Sequence, residues 1–203
     1  KRCISLKLPL LIDADGLNLL AESLHQQNDM AIDSPLVITP HPGEAARLLS
    51  ISDNVVTTVD IQGDRFNQIR KLRALFADTA ICTIVLKGAG SLIYDGQKMR
   101  VCHRGNAAMA APGMGDVLSG ICIGLMAQGL TIQNQATRDQ TNQGQTNQDS
   151  KTSDENSTTT STLSEIVSLA VCLHAAAADV FAKGKTRGLL ASDVIDTLPE
   201  LLQ

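Results

Sequence analysis

Three short apolar runs, each closing on charged or turn-forming residues, constrain this chain more than any other feature of it. Leu10–Ile12 ends on Asp13-Ala14-Asp15-Gly16. Leu36–Ile38 passes through Thr39 and Pro40 to His41-Pro42-Gly43-Glu44. Ile81–Leu86, rich in β-branched residues, ends on Lys87-Gly88-Ala89-Gly90. Runs this short are strands, and strands without polar alternation are buried on both faces, as in a parallel sheet under helices. Helical patterns fill the intervals: Leu17 to Gln27, Ala45 to Ser50, and a third from about Asp64, an N-cap, with Phe66, Ile69, Leu72 and Phe76 on one face. Ser91 to Tyr94 and Lys98 to His103 pattern as a hairpin turned at Asp95-Gly96. The alternation predicts an α/β domain with a mainly parallel sheet. Ligands of such sheets sit beyond the carboxyl ends of the strands, where Asp13, Asp15, His41, Glu44 and Lys87 all fall.

The stretch Gly105 to Gly120, GNAAMAAPGMGDVLSG, sets Gly105, Gly113, Gly115 and Gly120 around one carboxylate, Asp116, and runs into the apolar segment Val117 to Ala127. Glycines ahead of a helix allow positive φ and close approach to a ligand. The first turn then offers free N–H groups and the positive end of the dipole, a seat for phosphate. A carboxylate there opposes the anion unless it has a proton to take. Phosphoryl transfer supplies one: the carboxylate accepts the proton of the attacking hydroxyl while backbone donors hold the phosphate. Taken alone, a GxGD is a tight turn with a first-turn dipole partner, so the case rests on the residues gathered at the strand ends.

Composition bounds the classes of function. At 203 residues, 43% hydrophobic and net charge −4, the chain suits a soluble globular domain, or most of one, and not a nucleic-acid binder with a basic face. Aromatics are 2% with no Trp, too few for a base-stacking platform. The five cysteines are scattered, odd in number and without CxxC spacing, which points to no zinc site, no disulfide framework and a reducing cytoplasm. The apolar run after Asp116 is too short for a bilayer, and no signal-peptide pattern opens the chain. The start at Lys1 rather than Met is read as a missing N-terminal part.

Met114 to Gln128 reads as a central buried helix, with Gly120 and Gly124 admitting close neighbours. From Gln133 to Ser161 only Ala136 is apolar, so residues 133–161 are expected to be a low-complexity, disordered insertion in a single domain spanning 1–203. A long apolar helix follows from Leu163 through Phe181, in which His174 reads as a satisfied core histidine. Ser192-Asp193 caps a short helix to Leu202.

Together, DADGLN, TPHPGEAARLL, VLKGAG, GNAAMAAPGMGDVLSG and TRGLLASD resemble the ADP/ATP-dependent NAD(P)H-hydrate dehydratases of the ribokinase-like superfamily, in the family's order and over nearly the whole chain outside the polar segment. The resemblance implies a ribokinase-like three-layer α/β sandwich lacking its N-terminal part, including a GPGLG-type loop. It also implies metabolite repair in the cytoplasm. The ring hydroxyl of the S-form of NAD(P)H hydrate is phosphorylated and phosphate is then expelled, with ADP or ATP as donor, Mg²⁺ present, and AMP as the product from ADP. Asp116 matches the general base and substrate contact, and His41 a second substrate contact. Gly115 and the loop Lys87-Gly88-Ala89-Gly90-Ser91 match nucleotide contacts. Asn106 matches a position that shapes the phosphate pocket, and Glu44 matches a carboxylate that organises magnesium through water. Asp13 and Asp15 also read as turn-formers, Asp13 being the better site candidate, and Gly113 joins the site with it. A fused upstream epimerase domain follows from the same likeness; a homo-oligomer is expected, and composition leaves no nucleic-acid or membrane partner. Where many relatives carry two adjacent glycines, this chain has Pro112-Gly113, which excludes a phosphate contact from an N–H at Pro112. The same residues would also suit a vitamin or sugar kinase of the superfamily, or a non-catalytic nucleotide-binding remnant. Lys87 as a solvated lysine, His41 as a turn residue and Glu44 as a first-turn charge are the readings on spacing alone.

Overall fold

The computed structural model describes residues 6, 8–26, 32–50, 55–142, 151–183 and 187–202; over 130–142 and 151–161 it describes the course of the backbone. In chain order the elements are β1 (Leu10–Ile12), α1 (Asp15–His25), β2 (Leu36–Ile38), α2 (Pro42–Leu49), α3 (Thr58–Gly63), α4 (Arg65–Ala74), β3 (Cys82–Leu86), β4 (Leu92–Tyr94), β5 (Met99–Val101), α5 (Met114–Asn142), α6 (Lys151–Ala182) and α7 (Ala191–Leu201). The sheet runs in sequence order, β1 to β5. It is parallel from β1 to β3, with Leu11 beside Val37 and Val37 beside Thr83. From β3 to β5 it is antiparallel, through the hairpin at Asp95-Gly96. Asp95 closes that turn by accepting from the N–H groups of Gln97 and Lys98 at 2.8 and 2.7 Å.

Successive strand residues point to opposite faces, and this sorts the core into layers. Leu36, Ile38, Ile84, Leu86 and Leu92 face α1 to α4, meeting Leu17, Leu48, Ile61, Ile69 and Leu72. Val37, Val85 and Ile93 face α5 and α6, meeting Leu118, Cys122, Met126, Val167 and Val171. Every residue of β2 and β3 is buried, which is why those runs carry no polar alternation. A third cluster joins α7 to the start of α5 and the end of α6 through Met114, Val117, Ala178, Leu189 and Val194.

Several sequence expectations need correction. The short α3 was not anticipated, although Thr57 and Asp60 form its capping box, each side chain bonding the other's backbone N–H. Asp64 does cap α4, accepting from Asn67 N–H at 3.2 Å. Phe66, however, is 49% exposed while Ile69 and Leu72 are fully buried. At about 100° per residue it lies at the edge of the buried stripe. Gly120 and Gly124 are exposed, and a Cβ at either would meet nothing; the close approach between α5 and α6 is at Gly129, where a Cβ would collide with Ile166. α7 starts one residue before Ser192, and Asp193 caps it by reaching back to Leu190 N–H at 2.8 Å.

Of the polar segment, 143–150 lies outside the described residues, while the backbone of α5 is helical to Asn142 and that of α6 from Lys151. Once a buried helix is nucleated, each added residue costs little. Thr162–Ala182 of α6, 21 residues with mean hydropathy 1.7, is long and apolar enough to cross a bilayer by length and composition alone. Here Leu163, Val167, Ala170 and Val171 pack it against the sheet and α5.

Candidate functional site

The carboxyl ends of β1, β2 and β3 converge as the sheet order requires. Directly after β1, Ala14 takes φ 48°, a conformation a non-glycine residue holds only at a cost of order 1–3 kcal/mol. The turn it makes lets Asp13 Oδ1 accept from both Ala14 N–H at 2.9 Å and Lys87 Nζ at 2.8 Å. Asp13 Oδ2 accepts from the Ser119 hydroxyl of α5 at 3.0 Å. Burial works to raise the Asp13 pKa, but the Lys87 ammonium, Ala14 N–H and Ser119 hydroxyl outweigh it and hold the carboxyl below the usual carboxylate range. Asp15 is not part of this cluster; it is exposed in the first turn of α1, where Asn18 Nδ2 lies 3.4 Å from it.

At the end of β2, His41 and Glu44 form a capping box for α2. His41 Nδ1 accepts from Gly43 N–H at 2.9 Å and Glu44 N–H at 3.3 Å, while Glu44 Oε2 accepts from His41 N–H at 2.7 Å. The ring proton therefore sits on Nε2, 3.3 Å from Glu44 Oε1, and the half-exposed imidazole keeps one edge open to a ligand. Glu44 is buried and also lies 3.8 Å from Lys87 Nζ. Thus Asp13, His41, Glu44 and Lys87 are one connected group.

At the start of α5, Gly113 takes φ 83° and its carbonyl accepts the first helical bond, from Val117 N–H at 3.0 Å. The N–H groups of Met114, Gly115 and Asp116 have no partner within the helix. A Cβ on Gly115 would stand 3.4 Å from Lys87 Nζ and 3.5 Å from Asp13 Oδ2, so glycine here leaves room directly over the ion pair. Asp116 is exposed and has no side-chain partner among the described residues.

A cavity of about 580 Å³ opens beside this helix start, between the loop Lys87–Ser91, the turn Gly105–Ala107, Met114 and Gly115 of α5, and Val171, His174 and Ala175 of α6. That volume suits a nucleotide-sized ligand. Two side chains outside the predicted site set bear on this cavity, Arg65 behind its glycine loop and His174 in its lining. Arg65 donates to the carbonyls of Ala89 at 2.6 Å and Leu86 at 3.1 Å, stapling the glycine loop to α4. His174 is buried and its Nε2 has no partner among the described residues, so it is not the satisfied core histidine expected. Burial pushes its pKa down to about 4, against a hydrogen bond with the Met114 backbone, and the ring is neutral. Neither residue carries a local signal, since each finds its partners across the fold. Asn106 lines the cavity, and its side chain is bonded to Asp179, Ala178 and Ala108 of the protein itself.

A sequence profile of the family described as NAD(P)H-hydrate dehydratase matches residues 2–200. This chain belongs to that family. Among individual relatives of the dehydratase family, the bifunctional NAD(P)H-hydrate repair enzyme of Vibrio cholerae is 37% identical over 203 residues, all of this chain and 32% of that protein. The ADP-dependent (S)-NAD(P)H-hydrate dehydratase of Neisseria meningitidis is 40% identical over 123 residues, 60% of this chain and 38% of that one. The chain thus spans about a third of the length of the curated relatives it matches. In fold it is similar to the ADP/ATP-dependent NAD(P)H-hydrate dehydratase of Bacillus subtilis co-crystallised with ATP/Mg²⁺, with TM-score 0.67 and 23% identity over 98% of this chain and 56% of that one. It is also similar to a ribokinase-like superfamily protein of Enterococcus faecalis, with TM-score 0.63 and 23% identity over 96% and 52%. The fold is ribokinase-like, and the mixed sheet between two helical layers is its expression here.

Among the described residues no three His, Cys, Asp or Glu groups converge to hold a metal. Asp13 and Glu44, the carboxylates of the connected group, are engaged by Lys87 and by His41. The donor set does not fit a magnesium ion held by protein side chains alone.

Proposed function

We propose that this chain carries the nucleotide-dependent dehydration step of NAD(P)H-hydrate repair. The observation that carries the reading is the junction at Gly115. On one side lies a glycine-framed cavity of nucleotide size; on the other stands Asp116, an exposed carboxylate with no partner among the described residues; and the Lys87–Asp13 pair lies between. In this reading the nucleotide occupies the cavity along Lys87-Gly88-Ala89-Gly90-Ser91. Its terminal phosphate meets the free N–H groups of α5 and the Lys87 ammonium. The hydrated nicotinamide ring of the S-form lies between His41 and Asp116. Asp116 takes the proton of the ring hydroxyl as its oxygen attacks phosphorus, and the bond to AMP breaks when ADP is the donor. The new C–O–P link then breaks at carbon, pushed by the lone pair of the ring nitrogen, and the adjacent ring carbon gives up a proton to solvent, which restores the ring double bond as phosphate leaves. Asp13 holds Lys87 in place, and Gly113 sets the angle at which α5 presents its first turn. Magnesium enters as the companion of the nucleotide phosphates, reached from Glu44 through water, and no step above depends on it. A cytoplasmic setting and a fused epimerase domain belong to this proposal, the second supported by the names of the bifunctional relatives and the first by thiols that are free at Cys82, Cys102, Cys122 and Cys172. A homo-oligomer is proposed with them.

The test is to supply (S)-NADH hydrate or (S)-NADPH hydrate with ADP or ATP and follow both phosphate and the reduced nicotinamide absorbance. Equal release of phosphate and reduced dinucleotide is the expected result. A stable phosphorylated product would favour the small-molecule kinase, and nucleotide binding without turnover would favour a non-catalytic remnant.

A further inference from the structure

We propose that Asp179 of α6 is a positioning residue for the nucleotide side of the cavity, acting through the turn Gly105–Asn106 and governing nucleotide affinity rather than the chemical step. The inference rests on the nucleotide reading of the cavity given above. Asp179 Oδ2 accepts from Gly105 N–H at 2.9 Å, and Asp179 Oδ1 accepts from Asn106 Nδ2 at 2.9 Å, across 74 and 73 residues of chain. The second amide hydrogen of Asn106 goes to the Ala178 carbonyl at 3.3 Å, and Asn106 Oδ1 accepts from Ala108 N–H at 3.0 Å. Both donor hydrogens of the Asn106 amide are therefore used inside the protein. Asn106 acts on a ligand only by where it puts its backbone, and Asp179 is the group on which that backbone hangs.

The turn has little freedom of its own. Gly105 takes φ 101°, and a Cβ there would stand 2.8 Å from Met109 Sδ and 3.5 Å from Ala175 Cβ. Gly105, Asn106 and Met109 line the cavity, and so do His174 and Ala175, about one turn before Asp179 on the same helix and packed against Gly105. The bonds from Asp179 thus fix where the Gly105–Asn106 turn sits against α6 at the rim of the cavity. A carboxylate is required at this position because both partners are donors. An amide of the same size offers one acceptor and turns its own N–H group against the other donor. None of the side-chain bonds of Asp179 reaches Asp13, Lys87 or Asp116, so the effect falls on binding.

The experiment measures ADP and ATP dissociation constants by calorimetry, together with kcat and KM, on wild type, Asp179→Asn, Asn106→Asp and the double variant. Asp179→Asn is expected to raise the nucleotide Kd and KM ten- to a hundredfold while kcat stays within about threefold. The double variant reverses the polarity of the pair: the new amide donates to the new carboxylate and its carbonyl still accepts from Gly105 N–H, while the bond from residue 106 to the Ala178 carbonyl is lost, so recovery is partial. It is expected to recover at least a tenth of the lost affinity, so the two changes are non-additive. Wild-type affinity in Asp179→Asn overturns the assignment. So does a double variant no tighter than the two single changes multiplied, or a fall in kcat without a change in Kd. If Asp179→Asn does not fold, the double variant decides: tight binding supports the pair, and weak binding overturns it. Should wild type itself bind neither ADP nor ATP, the nucleotide reading fails and this inference with it; wild-type binding that Asp179→Asn leaves untouched removes only the role of Asp179.

Discussion

The Lys87 ammonium lies 2.8 Å from Asp13 Oδ1, and the two residues are 74 apart in the chain. The pair ties the end of β3 to the end of β1 over the parallel part of the sheet, and its side chains are only 20% and 12% exposed. Cutting it leaves a part-buried ammonium with Glu44 at 3.8 Å as its nearest carboxylate. Asp13→Ala is therefore expected to lower stability at neutral pH by about 2 kcal/mol, as for loss of a charged hydrogen-bond partner. The pH dependence has a definite sign. Asp13 is held below its ordinary 3.8, so its contribution is present above that value and is lost as pH falls towards the lower native one. Urea denaturation at pH 7 and below pH 4 should show the two proteins converging in acid. An unchanged gap would show that the carboxylate of Asp13 does not hold Lys87.

The strand ends were legible because a buried parallel strand needs an unbroken apolar run and has to stop at polar residues. Asp13, His41, Glu44 and Lys87 declared themselves that way and do lie together. Asp64 and the Asp95-Gly96 turn were legible from local hydrogen-bond chemistry. What stayed hidden depends on distant pairing. Arg65 finds the Ala89 carbonyl 24 residues away, and Asp179 finds Gly105 74 residues away, and no spacing records which acceptor or donor the fold will present. The glycines show the same limit, since Gly120, Gly124 and Gly129 share one apolar helix and only the packing of α6 singles out Gly129.

Two glycines of the same sequence stretch should respond to alanine in opposite ways. Gly120 is exposed in α5 with nothing within reach of a Cβ, so Gly120→Ala gains helix propensity and should stabilise by about 0.5–1 kcal/mol. Gly105 combines φ 101° with Met109 Sδ at 2.8 Å from the added carbon, so Gly105→Ala should cost about 1–3 kcal/mol. Thermal melts of the two variants beside wild type check the signs. A destabilised Gly120→Ala would mean that a neighbour sits on that face of α5.

His174 gives the protein an acid liability. Its folded-state pKa is lowered to about 4 from 6.5. Above 6.5 both states are neutral and the residue contributes nothing to the pH dependence. As pH falls below 6.5 the unfolded chain takes a proton that the native state refuses, and by pH 4 this removes about 3 kcal/mol. His174→Gln lacks that proton site, so its stability loss between pH 7.5 and 4.5 should be smaller than wild type by about 2 kcal/mol. Equal losses in the two proteins would show that the imidazole is protonated as readily in the fold as outside it.

Asp116 offers the cleanest separation of chemistry from folding. It is exposed in the first turn of α5 and has no side-chain partner among the described residues, so Asp116→Asn breaks no contact. The change keeps size and gives up only a small interaction with the helix dipole, about 0.3–1 kcal/mol. The N–H groups of Met114 and Gly115, which have no partner among the described residues, and the Lys87 ammonium remain for the phosphate, and removing a negative charge beside them favours the anion. Nucleotide binding should therefore stay at the wild-type level or tighten slightly. Turnover should fall by about two to four orders of magnitude, the usual cost of losing a general base. The measurements are a thermal melt, ADP and ATP titration, and the rate of reduced-dinucleotide recovery from the hydrate, all on one preparation. A variant that melts and binds like wild type but turns over at less than a hundredth of its rate meets the expectation. Turnover within threefold of wild type would move the base to another group, and His41, whose imidazole is half exposed beside Glu44, would be the next to substitute.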